Sequence, residues 1–199
     1  MTNAPIDPLV IIELTNLKAA GKLEELAKHP SLAMKPEWMG ELAENEDWHV
    51  RRGPAENPVL GEFPNIIEQL AADSDYRVRC HLASNPALAN FPNIIEALAR
   101  DSSYNVRSWA AENPVLGDFP HVIAQLSCDG REAVRYWLAQ NPAVLMVPAA
   151  VERLQKDYMP QIRSALASTL SKAISRPSTP IANTQPWQTQ PATQKVERP

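Results

Sequence analysis

The sequence predicts an all-α protein, a right-handed α-solenoid whose 28-residue units each carry two short helices. Asn-Pro pairs begin at residues 57, 85, 113 and 141, so the interval between them is constant. A Val-Arg pair precedes each of them by seven residues. A fixed period of this length is typical of repeat proteins, whose units pack only on their neighbours. No segment of the 199 residues shows the sustained alternation expected of strands.

An N-terminal capping helix is predicted within residues 1–21. Asp7 is a suitable N-cap residue, and Pro8 fits the first turn of a helix, where its missing backbone donor would have no partner in any case. Apolar residues then recur at a partly amphipathic spacing. Gly21 favours the end of that helix.

The repeat solenoid is predicted to span residues 22–175. Its first unit is degenerate, because His29-Pro30 precedes Asn57-Pro58 by the same interval but lacks the asparagine. Terminal units of a stack are expected to be atypical, since one of their faces meets water instead of a neighbouring unit.

The first helix of a clear unit is represented by the stretch that begins at Val78. At about 100° per residue, Val78 and the pair Leu82-Ala83 share one side of the helix. The helix has to end at Asn85-Pro86, because proline disfavours helical geometry in the residue before it and cannot donate a backbone hydrogen bond. A turn or a short, tight helix follows.

The second helix of the same unit begins at Phe91-Pro92, with proline in its first turn. It carries Ile94, Ile95 and Leu98 on its apolar side and stops near Asp101. Each unit is therefore predicted to consist of two short helices and a turn.

The last unit departs from this pattern. Ile162-Arg163 is not followed by an Asn-Pro pair, so its helix is predicted to continue to about Ile174 as a C-terminal cap. Residues 176–199 are rich in Pro, Thr and Gln, a composition typical of disordered segments. Trp187 is the one aromatic residue there, and it is either a docking anchor or part of a solvated tail.

Repeated polar residues predict a structural ladder along the stack. An aspartate lies six residues before the arginine of most units. It is predicted to cap the helix, and the arginine can reach an aspartate of its own or an adjacent unit. The asparagine amides can bond exposed backbone at the helix ends. The alternative is a column of arginines that binds phosphate. The ladder residues are Asp73, Arg79, Asp101, Arg107, Asp129, Arg135, Asp157 and Arg163, with Asn57, Asn85, Asn113 and Asn141.

This pattern resembles the leucine-rich repeat variant family, within the HEAT-like and armadillo-like solenoids. Val-Arg-x-x-Leu-Ala-x-Asn-Pro, a later proline and Leu-Ala-x-Asp carry the resemblance over about residues 22–170. The resemblance implies a superhelix of α-helices that alternate with short, tight helices. The turn after Asn-Pro is longer here than in that family. Some members hold an iron–sulfur centre on a cysteine cluster, but this chain has two separated cysteines, so no cofactor is expected.

Candidate binding residues are those that do not repeat. On the first helix of each unit, the second and third residues after the valine point away from the apolar side. Aromatic residues there are typical anchors for a peptide or a partner helix on a concave face. The alternative is that the tryptophans pack between units. The candidate partner-binding residues are Arg52, His81, Trp109, Tyr136 and Trp137.

Composition and motifs narrow the function classes. A formal net charge of −4 offers no overall electrostatic case for nucleic acid or an anionic membrane. The chain has no Gly-rich phosphate loop, His-Glu-x-x-His or Cys-x-x-Cys motif, so no catalytic residue or metal site is expected. No signal peptide or membrane span is evident. We therefore expect a monomeric cytoplasmic scaffold that binds a protein or peptide. The alternative is a HEAT-like nucleic-acid-binding protein or DNA glycosylase that uses Trp109 and Trp137.

Overall fold

The computed structural model describes residues 8–29, 31–32 and 35–175. Within these ranges the chain forms twelve α-helices and no strand, so the prediction of an all-α protein is confirmed for them. The segment predicted to be disordered, 176–199, lies outside the described residues, as do the first seven residues. The α-helices are α1 (Pro8–Ala19), α2 (Leu23–Lys28), α3 (Pro36–Ala43), α4 (Trp48–Glu56), α5 (Pro64–Ala71), α6 (Tyr76–Ala83), α7 (Pro92–Leu98), α8 (Tyr104–Glu112), α9 (Pro120–Leu126), α10 (Glu132–Gln140), α11 (Pro148–Gln155) and α12 (Pro160–Ser175).

Proline sets the helix boundaries of the units. The proline of each Asn-Pro pair begins a 3-10 helix, and a second proline begins the next α-helix. The asparagine before the first proline is extended, with ψ between 120° and 128°, which ends the preceding α-helix. The 3-10 helices are Pro58–Glu62, Pro86–Asn90, Pro114–Asp118 and Pro142–Met146.

The helices stack in two rows. In the first row, which we define as α2, α4, α6, α8, α10 and α12, each helix contacts the next. The second row contains α3, α5, α7, α9 and α11, and each of these packs against the first-row helices before and after it in the chain. The 3-10 helices also contact one another in sequence. This packing is consistent with a helical repeat.

Apolar side chains fill the space between the rows, in a large cluster that extends from α3 to α12 and a smaller one at the α1 end. Leucine, isoleucine and valine side chains of the second row meet the alanines and leucines of the first row, and the central members are fully buried. Among them are Ile95 and Leu98 of α7, with Val106, Ala110 and Ala111 of α8. Small alanines on the first row allow its helices to approach closely, so most of the core volume comes from leucine.

The asparagines of the Asn-Pro pairs bond across units. Asn113 donates from Nδ2 to the carbonyl oxygens of Ala83 and Asn85 at 2.7 and 3.2 Å. Its Oδ1 accepts from the backbone N–H of Val115 at 3.0 Å. The same bonds recur at Asn57, Asn85 and Asn141. Each asparagine therefore caps the 3-10 helix that follows it and bonds to the backbone of the preceding unit.

Arginines and aspartates form a second set of bonds between units. Arg107 donates from Nε and Nη2 to the two carboxylate oxygens of Asp129, at 2.7 and 3.1 Å. Its Nη1 donates to the carbonyl oxygen of Asp101, at the start of its own helix. The equivalent ion pairs join Arg51 to Asp73, Arg79 to Asp101 and Arg135 to Asp157. Each arginine therefore pairs with the aspartate that precedes the next first-row helix.

The predicted helix cap at Asp73 is wrong. Asp75 is the N-cap residue of α6, and its carboxylate accepts from the backbone N–H of Arg77. Asp73 instead accepts from the N–H of Asp75 and from Arg51, so its oxygens are already engaged in the turn before the helix. Asp101, Asp129 and Asp157 likewise accept from the N–H two residues ahead.

The two ends of the stack differ from its middle. At the first end, α1 stops at Ala19, and Gly21 has a φ of 68°, a left-handed conformation that favours glycine. At the other end, Thr169 follows Asn141 by the interval that separates the asparagines, and its Oγ1 donates to the carbonyl oxygen of Ala139 at 2.8 Å. Threonine thus makes one of the bonds that asparagine makes elsewhere, and α12 continues to Ser175 without a break.

Close contact between α2 and α4 requires a glycine, which yields a stability prediction. A Cβ at Gly53 would lie 2.2 Å from the Cβ of Ala27. We expect Gly53→Ala to lower the free energy of unfolding by about 1–3 kcal/mol, because a packed backbone has to move. Urea unfolding followed by circular dichroism measures this change.

Gly40→Ala is the matched control for this substitution. A Cβ at Gly40 in α3 would have no atom within 4 Å, so alanine should raise helix stability by about 0.5–1 kcal/mol. Adding Ala27→Gly to Gly53→Ala should restore part of the loss. Equal effects of Gly53→Ala and Gly40→Ala would contradict the close approach of α2 and α4.

Candidate partner-binding surface

The candidate partner-binding residues lie on four consecutive first-row helices, α4, α6, α8 and α10. At the α4 end, polar groups surround the carboxylate of Glu56. His81 Nδ1 lies 2.7 Å from Glu56 Oε1, and Arg52 Nε lies 3.5 Å from the same oxygen. Lys28 Nζ lies 3.2 Å from Glu56 Oε2. The cations at this end are therefore engaged with a carboxylate of the protein itself.

His81 links this polar cluster to the first exposed tryptophan. Its ring meets that of Trp109 edge to face, with 4.8 Å between the ring centroids. Burial lowers the pKa of His81 below its ordinary value, although Glu56 opposes the shift. The lowered pKa favours the neutral form of the imidazole that meets Trp109.

Trp109 and Trp137 occupy equivalent positions one unit apart. Each leaves more than a third of its surface exposed, 37% for Trp109 and 38% for Trp137. Trp137 meets the ring of Tyr136 edge to face at 5.7 Å. Each tryptophan thus has one aromatic partner and a free face, so neither is fully packed between units.

Two adjoining cavities lie beside Tyr136, between α10 and α12. One has a volume of about 390 Å³ and the other of about 290 Å³, and they share Tyr136 and Gln161. We define these two cavities as the α10–α12 groove. Their side chains combine an aromatic wall with uncharged amides and hydroxyls. The groove is lined by Glu132, Tyr136, Trp137, Gln140, Gln161, Ser164, Ser168 and Lys172.

A second set of aromatic residues was missed by the sequence reasoning. Trp48, Tyr76 and Tyr104 begin α4, α6 and α8, at the same 28-residue spacing as the asparagines. Tyr76 and Tyr104 are 43% and 41% exposed. The guanidinium of Arg77 lies 3.7 Å from the ring centroid of Trp48, a cation–π contact. Extending the comparison of units by two residues before the valine would have revealed this column.

The ladder arginines are engaged with protein groups. Arg79, Arg107 and Arg135 each hold a carboxylate with two nitrogens and a backbone carbonyl with a third. Arg163, at the end of the ladder, donates to the backbone carbonyl of Asp157. A phosphate group would have to displace an aspartate from the first three.

The two cysteines, Cys80 and Cys128, are both free thiols. Cys80 is buried in α6, and burial raises the pKa of its thiol to about 11, so it is protonated at neutral pH. Cys128 is exposed at the end of the second-row helix α9. In residues 8–29, 31–32 and 35–175, no three His, Cys, Asp or Glu side chains are grouped to hold a metal ion.

No helix in the described part of the chain is both long and apolar enough to cross a membrane. Comparison with known proteins finds no matching family model and no matching curated protein.

Proposed function

We propose that the chain is a right-handed α-solenoid of 28-residue units, similar to leucine-rich repeat variant proteins. It serves in the cytoplasm as a monomeric scaffold without catalytic activity, and it binds a protein or peptide segment on the side of the first row that carries Trp109 and Trp137. The observation behind this proposal is the exposure of both tryptophans on neighbouring helices, with Trp137 also lining a cavity. Large apolar side chains exposed side by side on a protein surface commonly mark an interaction site.

The chemistry of this surface favours a peptide over a charged ligand. Half-exposed aromatic rings supply apolar contact area at a low entropy cost. Gln140, Gln161 and Ser164 can donate to and accept from an extended backbone. Close approach of first-row helices, shown where Gly53 meets Ala27, supports placing this row on the concave side.

The double substitution Trp109→Ala and Trp137→Ala tests the site. We expect the chain to remain folded and to bind its partner at least about thirtyfold more weakly, the loss typical of removing one strong anchor residue. Affinity capture with the tagged full chain identifies the partner, and titration of the purified partner then measures the dissociation constant.

A matched control removes exposed apolar side chains elsewhere. Met146 and Tyr158 are 66% and 71% exposed and lie outside the proposed site, so replacing both with alanine should leave the affinity unchanged. Undiminished partner binding by the tryptophan variant would overturn the site. Salt-dependent binding of DNA by the natural chain, with no protein partner, would favour the nucleic-acid alternative instead.

A further inference from the structure

The α10–α12 groove has a mostly uncharged lining. Apart from Glu132 and Lys172 at its margins, its polar side chains are uncharged amides and hydroxyls. Its apolar wall is the Tyr136–Trp137 pair. Such a lining suits an uncharged segment that contains one aromatic side chain and many hydrogen-bonding groups.

The chain supplies a segment of that chemistry directly after α12. Residues 177–194 contain no charged residue, and they carry four glutamines, four prolines and the single aromatic Trp187. Prolines limit the freedom of an extended segment and so reduce the entropy lost when it binds. The composition of this segment therefore complements the groove in charge, in hydrogen bonding and in its one large ring.

Resting on the function proposed above, we infer that residues 176–199 bind the α10–α12 groove of their own chain, with Trp187 against Tyr136 and Trp137. The segment serves as a competitor that the partner has to displace. The groove thus remains covered when no partner is present, which reduces unspecific association of its exposed rings.

The chain between the end of α12 and Trp187 is long enough for this arrangement. Gln161, near the first turn of α12, lies about 21 Å before Ser175 at about 1.5 Å per residue, and the neighbouring helix is about 10 Å to the side. Twelve residues lead from Ser175 to Trp187, and at about 3.1 Å per residue a proline-rich segment of that length can reach about 37 Å. This reach exceeds the distance to Gln161, so the segment is long enough for Trp187 to contact Tyr136.

Fluorine NMR of the full chain labelled with 5-fluorotryptophan tests the inference. The five tryptophans give five resonances, which single Trp→Phe substitutions assign. We expect the Trp187 resonance to differ from that of a labelled synthetic peptide of residues 176–199. We also expect Trp187→Ala to shift the Trp137 resonance, because it removes a neighbouring ring, and to leave that of Trp38 in α3 unchanged.

A second variant tests the arrangement from the groove side. Tyr136→Ala should move the Trp187 resonance toward its position in the free peptide, whereas Tyr158→Ala should not. Both effects should be independent of protein concentration, since the contact is within one chain. A Trp187 resonance identical to that of the peptide, or a shift that appears only at high concentration, would overturn the inference. Neither result affects the proposed function, which fails on undiminished partner binding by the Trp109 and Trp137 variant.

Discussion

Replacing Asn113 with alanine is expected to lower the free energy of unfolding by about 3–5 kcal/mol, because one buried side chain satisfies three backbone groups. Alanine leaves the carbonyl oxygens of Ala83 and Asn85 and the N–H of Val115 without that partner in a region closed to water. Each unsatisfied buried group costs about 1–3 kcal/mol, and local relaxation recovers part of the sum. Urea unfolding measured by circular dichroism gives the change directly.

Asn93→Ala provides the comparison. Asn93 lies exposed in α7, so its loss should change stability by no more than about 0.5 kcal/mol. If the two variants were equally stable, the asparagine bonds between units would carry no stabilising role. Native-state hydrogen exchange adds a spatial readout, since protection should decrease most on the two sides of the contact between α6 and α8.

Arg107→Ala is expected to lower the free energy of unfolding by about 3 kcal/mol at neutral pH. The side chains of Arg107 and Asp129 are only 18% and 10% exposed. Removing the arginine therefore leaves a largely buried carboxylate without its cation. Arg100→Ala is the matched control. Arg100 contacts Glu96 at an exposed site and should contribute less than about 0.5 kcal/mol.

Lowering the pH should reduce the difference in unfolding free energy between the natural chain and Arg107→Ala. Burial raises the pKa of Asp129, but hydrogen bonds from Arg107 and from the N–H of Arg131 outweigh it, so the pKa is lowered overall. The natural chain therefore holds this stabilisation above the unfolded pKa of about 3.9 and loses it as the pH falls through the lowered folded value. In the variant, protonation of Asp129 instead removes an unpaired charge. Urea unfolding midpoints of both proteins at pH 7, 5 and 3 test this prediction. A difference in midpoint that does not change with pH would contradict the pairing of Arg107 with Asp129.

The repeat predicted that arginines and aspartates would pair along the stack, but it did not predict which aspartate each arginine would contact. The repeated spacing of Asp73 and Arg79 indicated a ladder of acid–base pairs, yet a period alone cannot say which aspartate an arginine reaches. That choice depends on the distance between stacked helices, which side-chain packing sets. The cap at Asp73 was mispredicted for a related reason: Asp73 and Asp75 both suit a helix start, and their roles depend on where Arg51 of the preceding unit lies.

The binding role of the candidate residues stays a prediction, and the sequence indicated only how two of them align. Helical phase placed Trp109 and Trp137 at equivalent positions, but their exposed fractions depend on the neighbouring side chains. The α10–α12 groove was not predicted, because it arises from the length of α12 and from small side chains such as Ser164 and Ser168. No motif in the sequence marks such a cavity. Its glutamines, read singly, are ordinary surface residues.

Each kind of bond between units keeps one direction along the chain. Asparagine amides reach back by 28 and 30 residues, and ladder arginines reach forward by 22. A gene rearrangement that inserts or removes one whole unit in the middle would leave every remaining donor opposite an equivalent acceptor. The ends lack this interchangeability, since Thr169 and the uninterrupted α12 replace the Asn-Pro break. Evolution by duplication can therefore lengthen this protein internally while its two termini stay as they are.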